Sequence, residues 1–134
     1  MTTHIEVKLV KILVGIVEPR PGKVLTAWRS FHAGDFGKAV DQGLACGMAG
    51  YTVANKAATV YASYLETDVD RKCELLLAAA TRAEEQQRAQ ADNPNAWYLH
   101  AFALGRYSQS ISVVKALSEG LGSKIKNSLT HALA

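Results

Sequence analysis

The sequence predicts an all-α fold built from helix pairs joined by short corners. Three observations carry that expectation. Apolar residues recur at three- and four-residue spacing almost without interruption from Lys23 onward. Ala and Leu are abundant while only 3 prolines occur in 134 residues, a bias that favours helix. The periodic runs are separated by short breaks such as Gly34–Asp35 and Asn93–Pro94, with no Asn-Gly hairpin signal and no strand–helix alternation.

Residues 5–17, IEVKLVKILVGIV, carry two patterns at once. Ile5, Val7 and Leu9 alternate like a strand, whereas Leu9, Ile12, Leu13 and Ile16 recur like a helix, and the helical remainder of the chain favours the second. Pro19, Pro21 and Gly22 end the segment, so residues 1–22 read as an apolar segment with a Pro-rich linker and residues 23–134 as the helical domain. Residues 9–17 are also the one stretch with the look of a targeting signal. Lys11 interrupts it and EPRPG follows it instead of a small-residue cleavage site. The cytoplasm is therefore the expected compartment, with the periplasm as the alternative if residues 9–17 belong to a signal. No apolar run reaches the length of a membrane span.

The helical domain opens on a stripe of Val24, Trp28 and Phe31 that stops at Gly34, a residue able to take the left-handed conformation that closes a helix. Asp35 is a good N-cap for the next helix, on which Phe36, Ala39, Val40, Gly43 and Leu44 share a face. A third helix spans roughly 49–66 on Val53, Ala57, Val60, Tyr61, Tyr64 and Leu65. ETDVD breaks it, and Asp68 or Asp70 caps a fourth over roughly 69–91 on Cys73, Leu76, Leu77, Ala80 and Ala83. The far end of that helix, EEQQRAQ, is polar all round and is expected to project beyond the core, with Arg88 paired to Glu84 on an exposed face. DNPN is a stop and a restart, and a fifth helix begins near Asn95 with Trp97, Ala101 and Leu104 inward. Ile111, Val114 and Leu117 continue the pattern to a break at Gly120 and Gly122, and a last helix runs from Lys124 to Ala134.

Composition excludes several function classes. A net charge of +3, with the basic residues spread out, gives no track for nucleic acid. Cys46 and Cys73 have no CxxC spacing and no neighbouring His, so they read as reduced, buried thiols, not as metal ligands. His4, His32, His100 and His131 are scattered, and His100 reads as an interior histidine. GLACGMAG and GLGSK match neither a phosphate-binding loop nor a dinucleotide fingerprint, and their glycines read as corners or close helix approaches. The expectation is a protein without catalytic residues, cofactor or metal: not an enzyme.

Ala27 and Tyr61 stand 34 residues apart, as do Ala39 and Cys73. NPNAWYLHAFALGRYSQ has Pro94 at the end of the preceding unit, Trp97 at the place of a leading aromatic and Ala101 at that of a small residue. In these features the chain resembles the tetratricopeptide repeat family. Lys23 in place of an aromatic, Gly43 in place of a large apolar residue and extra turns over 105–122 depart from its pattern. The resemblance implies a right-handed α-α superhelix, or solenoid, of about three hairpins, with units near 23–47, 48–93 and 94–134. It implies a non-enzymatic scaffold that binds a protein or peptide segment on the concave wall formed by the first helix of each hairpin. Carried onto this chain, the exposed positions of that wall are Trp28, His32, Asn55, Ala62, Tyr98, Phe102 and Arg106. The family's clamp for a C-terminal carboxylate is not found. The alternative is a helical small-molecule-binding or sensor domain with residues 105–122 as a lid. The closing HALA would leave Leu129 and Leu133 uncovered, which predicts either a homodimer through the last helix or a piece of a longer array.

Overall fold

The computed structural model describes residues 21–134, so the expectations for residues 5–17 and 9–17 lie outside the described residues. The described residues are all-α. In chain order the helices are α1 (Pro21–His32), α2 (Phe36–Ala45), α3 (Tyr51–Tyr64), α4 (Val69–Ala89), α5 (Pro94–Ser110), α6 (Val113–Ser118) and α7 (Leu121–Leu133), with a 3-10 turn over Gly47–Gly50. No strand is found among the described residues. The first helix starts at Pro21, two residues ahead of the expected domain start. A proline is well placed there, since the first turn of a helix has no use for its missing N–H.

The corners follow their sequence signals. Gly34 takes φ +84° and ends α1, and Asp35 accepts from the Lys38 backbone N–H at 3.2 Å to cap α2. Asp68, not Asp70, caps α4 by accepting from Arg71 N–H. Asn93 caps α5 directly ahead of Pro94, and Ser112 caps the short α6 through Lys115 N–H. Each such cap stabilises its helix by about 1 kcal/mol. Gly120 at φ +65° turns α6 into α7, whereas an added Cβ at Gly122 would meet open space, so only the first of that pair is a required glycine.

Each helix packs on its chain neighbour, except that α5 and α6 make marginal contact at most, and α7 packs on α5. The odd members α1, α3 and α5 also touch one another in succession, while α2 with α4, and α4 with α7, make marginal contact at most. The core lies where α3, α4, α5 and the start of α7 meet: Ala62, Leu76, Ala79, Leu104, Tyr107 and Leu121 are all buried there. Alanine at Ala27, Ala39, Ala54, Ala57 and Ala83, each fully buried, lets neighbouring helices approach closely. The backbones approach closely at Gly43 and Gly50, where an added Cβ on Gly50 would stand 1.8 Å from the Gly43 carbonyl oxygen.

The far end of α4 does not project. Ala83 is fully buried, Gln86 is 2% exposed and donates to Thr52 Oγ1, and Gln87 donates to the Ala96 carbonyl. Because α4 is covered by α3 on one side and α5 on the other, its polar residues are held by partners on both.

Candidate functional site

The positions expected on the binding wall divide into three groups. Tyr98, Phe102 and Arg106 lie one turn apart along α5 and come together. The Tyr98 and Phe102 rings are 6.0 Å apart, and the Arg106 guanidinium stands 5.7 Å from the Phe102 centroid. Tyr64, at the end of α3, completes the group: Arg106 Nη2 donates to its hydroxyl at 2.6 Å, and the guanidinium lies 5.1 Å from its ring centroid. Arg106 Nη1 also donates to Gln109 Oε1. Tyr98 is 48% exposed and Tyr64 63% exposed, so the cluster faces solvent with its one cation held in place by aromatic faces. An open apolar hollow of about 290 Å³ lies beside it, lined by Tyr98, Phe102, Arg106, Gln109 and, from α7, Leu129.

Trp28 and His32 belong to a different cluster at the α1–α2 corner. Phe31 packs edge-on against Trp28 at 5.6 Å, His32 at 5.3 Å and Phe36 at 5.4 Å, and Lys56 Nζ lies over its ring. Both residues are on α1 as expected, and His32 is exposed, but they line none of the cavities that hold Tyr98 or Arg106.

Asn55 and Ala62 are not exposed: both are fully buried. The spacing that puts Asn55 on α3 does not reveal that α4 lies across it. Its Oδ1 accepts from Arg82 Nε at 2.7 Å, its carbonyl accepts from the Thr59 hydroxyl, and its Nδ2 has no partner. Burial pulls the Arg82 guanidinium below its ordinary value. Asn55 therefore joins two helices instead of reading a ligand.

His100 is an interior residue, 5% exposed, with partners from two helices. Its Nε2–H donates to Glu84 Oε2 on α4 at 3.2 Å, which leaves Nδ1 to accept the hydroxyl of Ser128 on α7. Glu84 thus turns to His100 and not to Arg88. Ser128 is 1% exposed, so no substrate reaches its hydroxyl, and the three residues clasp α4, α5 and α7 together. Local spacing does not reveal this trio, since its members are separated by 16 and 28 residues. Burial pushes the His100 pKa down, against the opposing pull of Glu84. A lowered folded pKa means that the unfolded chain binds the proton more readily, so stability is lost as pH falls through the unfolded value of 6.5. The melting temperature is expected to drop between about pH 7 and pH 5, and His100→Gln to flatten that drop in pH-resolved thermal melts. An unchanged pH profile in the variant contradicts this role.

Cys46 is buried and Cys73 half-buried, and both are free thiols. Burial pushes the Cys73 thiol up, which disfavours the reactive thiolate. Among the described residues no group of three or more His, Cys, Asp or Glu side chains is placed to hold a metal, and no helix is long and apolar enough to cross a membrane. No family model matches the chain, and neither a curated protein nor a solved structure matches it.

Proposed function

We propose that the chain is a protein-interaction module: a solenoid of tetratricopeptide-like hairpins that binds an extended protein or peptide segment across α3 and α5. The observation that carries this reading is the Tyr64–Tyr98–Phe102–Arg106 cluster, four large side chains from adjacent helices that converge on a solvent-facing surface. Aromatic residues and arginine are the types that most often anchor a partner. The layer of α1, α3 and α5, each touching the next, against the more widely spaced α2, α4 and α7 supports an inner wall made of the first helix of each hairpin. Holding Arg106 between two rings before the partner arrives lowers the ordering cost of binding.

The small-molecule alternative draws on a cavity of about 360 Å³ between α2, α3 and α4, lined by Phe36, Val40, Tyr61, Glu66, Arg71 and Leu75. It is weaker because residues 105–122 fit a lid poorly: Tyr107 and Leu121 are core residues, and Ile111 and Ala116 pack against them. The exposure of Leu129 (41%) and Leu133 (86%) on α7 fits association through that helix, which sedentation of the chain by analytical ultracentrifugation would read directly.

The test is affinity capture from source-cell lysate with the parent chain and with Tyr98→Ala/Arg106→Ala, read by mass spectrometry. The double variant is expected to keep the parent's circular dichroism and to bind the captured protein at least about 30-fold more weakly, the loss typical of an anchor worth 2 kcal/mol or more. A partner retained at equal affinity by the folded variant refutes the groove.

A further inference from the structure

A second cavity, of about 150 Å³ and with polar walls, shares Arg106 and Gln109 with the apolar hollow. Its lining is Ser63 from α3, Lys72 from α4, and Arg106, Gln109 and Ser110 from α5. Three features set it apart from an ordinary surface dent. Two cations from different helices line it, and no carboxylate does. Among the described residues neither Lys72 nor Arg106 forms a salt bridge, although the neighbouring Arg71 pairs with Glu74. The Ser63 hydroxyl oxygen is buried with no hydrogen-bond partner, a state that costs free energy until an acceptor or donor arrives.

The donors are also pre-positioned. Arg106 spends N–H groups on Tyr64 and Gln109, and a guanidinium has more donors than those two partners use. The Tyr64 and Phe102 rings fix its plane, so the remaining donors are available in a set direction and not on a free side chain. Lys72 adds a compact positive charge from the first turn of the neighbouring helix.

We propose that this cavity is an oxyanion subsite, taking the carboxylate or phosphoryl group of a segment that lies across α3 and α5. The proposal deepens the groove reading, because Arg106 and Gln109 line both the polar cavity and the apolar hollow. A bound segment would place an acidic or phosphorylated side chain in one and an apolar side chain in the other. The cavity volume suits a single oxyanion headgroup.

The test uses no partner, so it can fail while the groove reading stands. Inorganic phosphate and, separately, acetate are titrated at constant ionic strength into the isotope-labelled chain, and amide and Arg Nε–H shifts are followed by NMR. Saturable shifts clustered at Ser63, Lys72, Arg106 and Gln109 are expected with at least one of the two anions. Response to phosphate alone assigns a phosphoryl group, and response to acetate alone or to both assigns a carboxylate-tolerant site. Lys72→Met is expected to raise the dissociation constant about tenfold, the loss of one charge-assisted hydrogen bond, and Ser63→Ala by a smaller factor. Lys38→Met, an exposed lysine on α2, is the control for net charge and is expected to change nothing. Shifts that stay linear with both anions, or saturable shifts that survive Lys72→Met unchanged, overturn the proposal.

Discussion

Gly50→Ala is expected to destabilise the fold by about 3 kcal/mol, at the upper end of the usual cost of forcing extra atoms into a packed interior. The reason is local and geometric. The new Cβ would stand 1.8 Å from the Gly43 carbonyl oxygen and 2.6 Å from its carbonyl carbon, and both are backbone atoms that cannot rotate away. Relief requires α2 and the start of α3 to separate, and that crossing also seats Ala54 and Val53 against Gly43. Gly37→Ala is the matched control. An added Cβ there meets nothing within 4 Å, and the helical glycine it replaces costs backbone entropy, so stability should rise by about 0.5 kcal/mol. Urea melts of both variants read the contrast. Equal midpoints for the two would mean that the helices do not cross at Gly43 and Gly50.

The second large effect is expected at Leu76. It is fully buried and belongs to the cluster where α3, α4 and α5 meet. Leu76→Ala removes its contacts and leaves a cavity that alanine-lined helices cannot easily refill, for a loss of about 2–5 kcal/mol. Leu77, its chain neighbour, is 39% exposed, and Leu77→Ala should cost less than about 1 kcal/mol. Two adjacent leucines with such different costs would fix which face of α4 points inward. Similar costs at both would contradict the packing.

Boundaries and corners were the most legible features of the sequence because they depend on local backbone chemistry. Gly34, Asp35, Asp68, Asn93 and Gly120 each act as the conformation or cap their residue types favour. Inner faces made of large apolar residues were legible too, as at Leu76 and Leu104. Polar residues were misleading wherever a helix has two neighbours. EEQQRAQ reads as a solvated end, yet Gln86 is buried against Thr52, and Asn55 reads as a groove residue, yet Arg82 covers it. Periodicity reports the face on which a residue sits, but not whether a distant helix lies over that face. The same limit hid the His100 clasp and the Ser63–Lys72–Arg106 cavity, whose members come from three helices each. Tyr64 was seen only as part of the third helix's apolar stripe. Its use as the platform for Arg106, 42 residues away, depends on how α3 and α5 lie side by side.

The most direct measurement is selection of a displayed random-peptide library on the immobilised parent chain, with Tyr98→Ala/Arg106→Ala as the counter-target. An interaction groove across α3 and α5 should enrich related peptides that carry an apolar anchor and bind the parent. Those peptides should lose that binding on the folded double variant. No enrichment on the parent, or enriched peptides that bind both chains equally well, would contradict it.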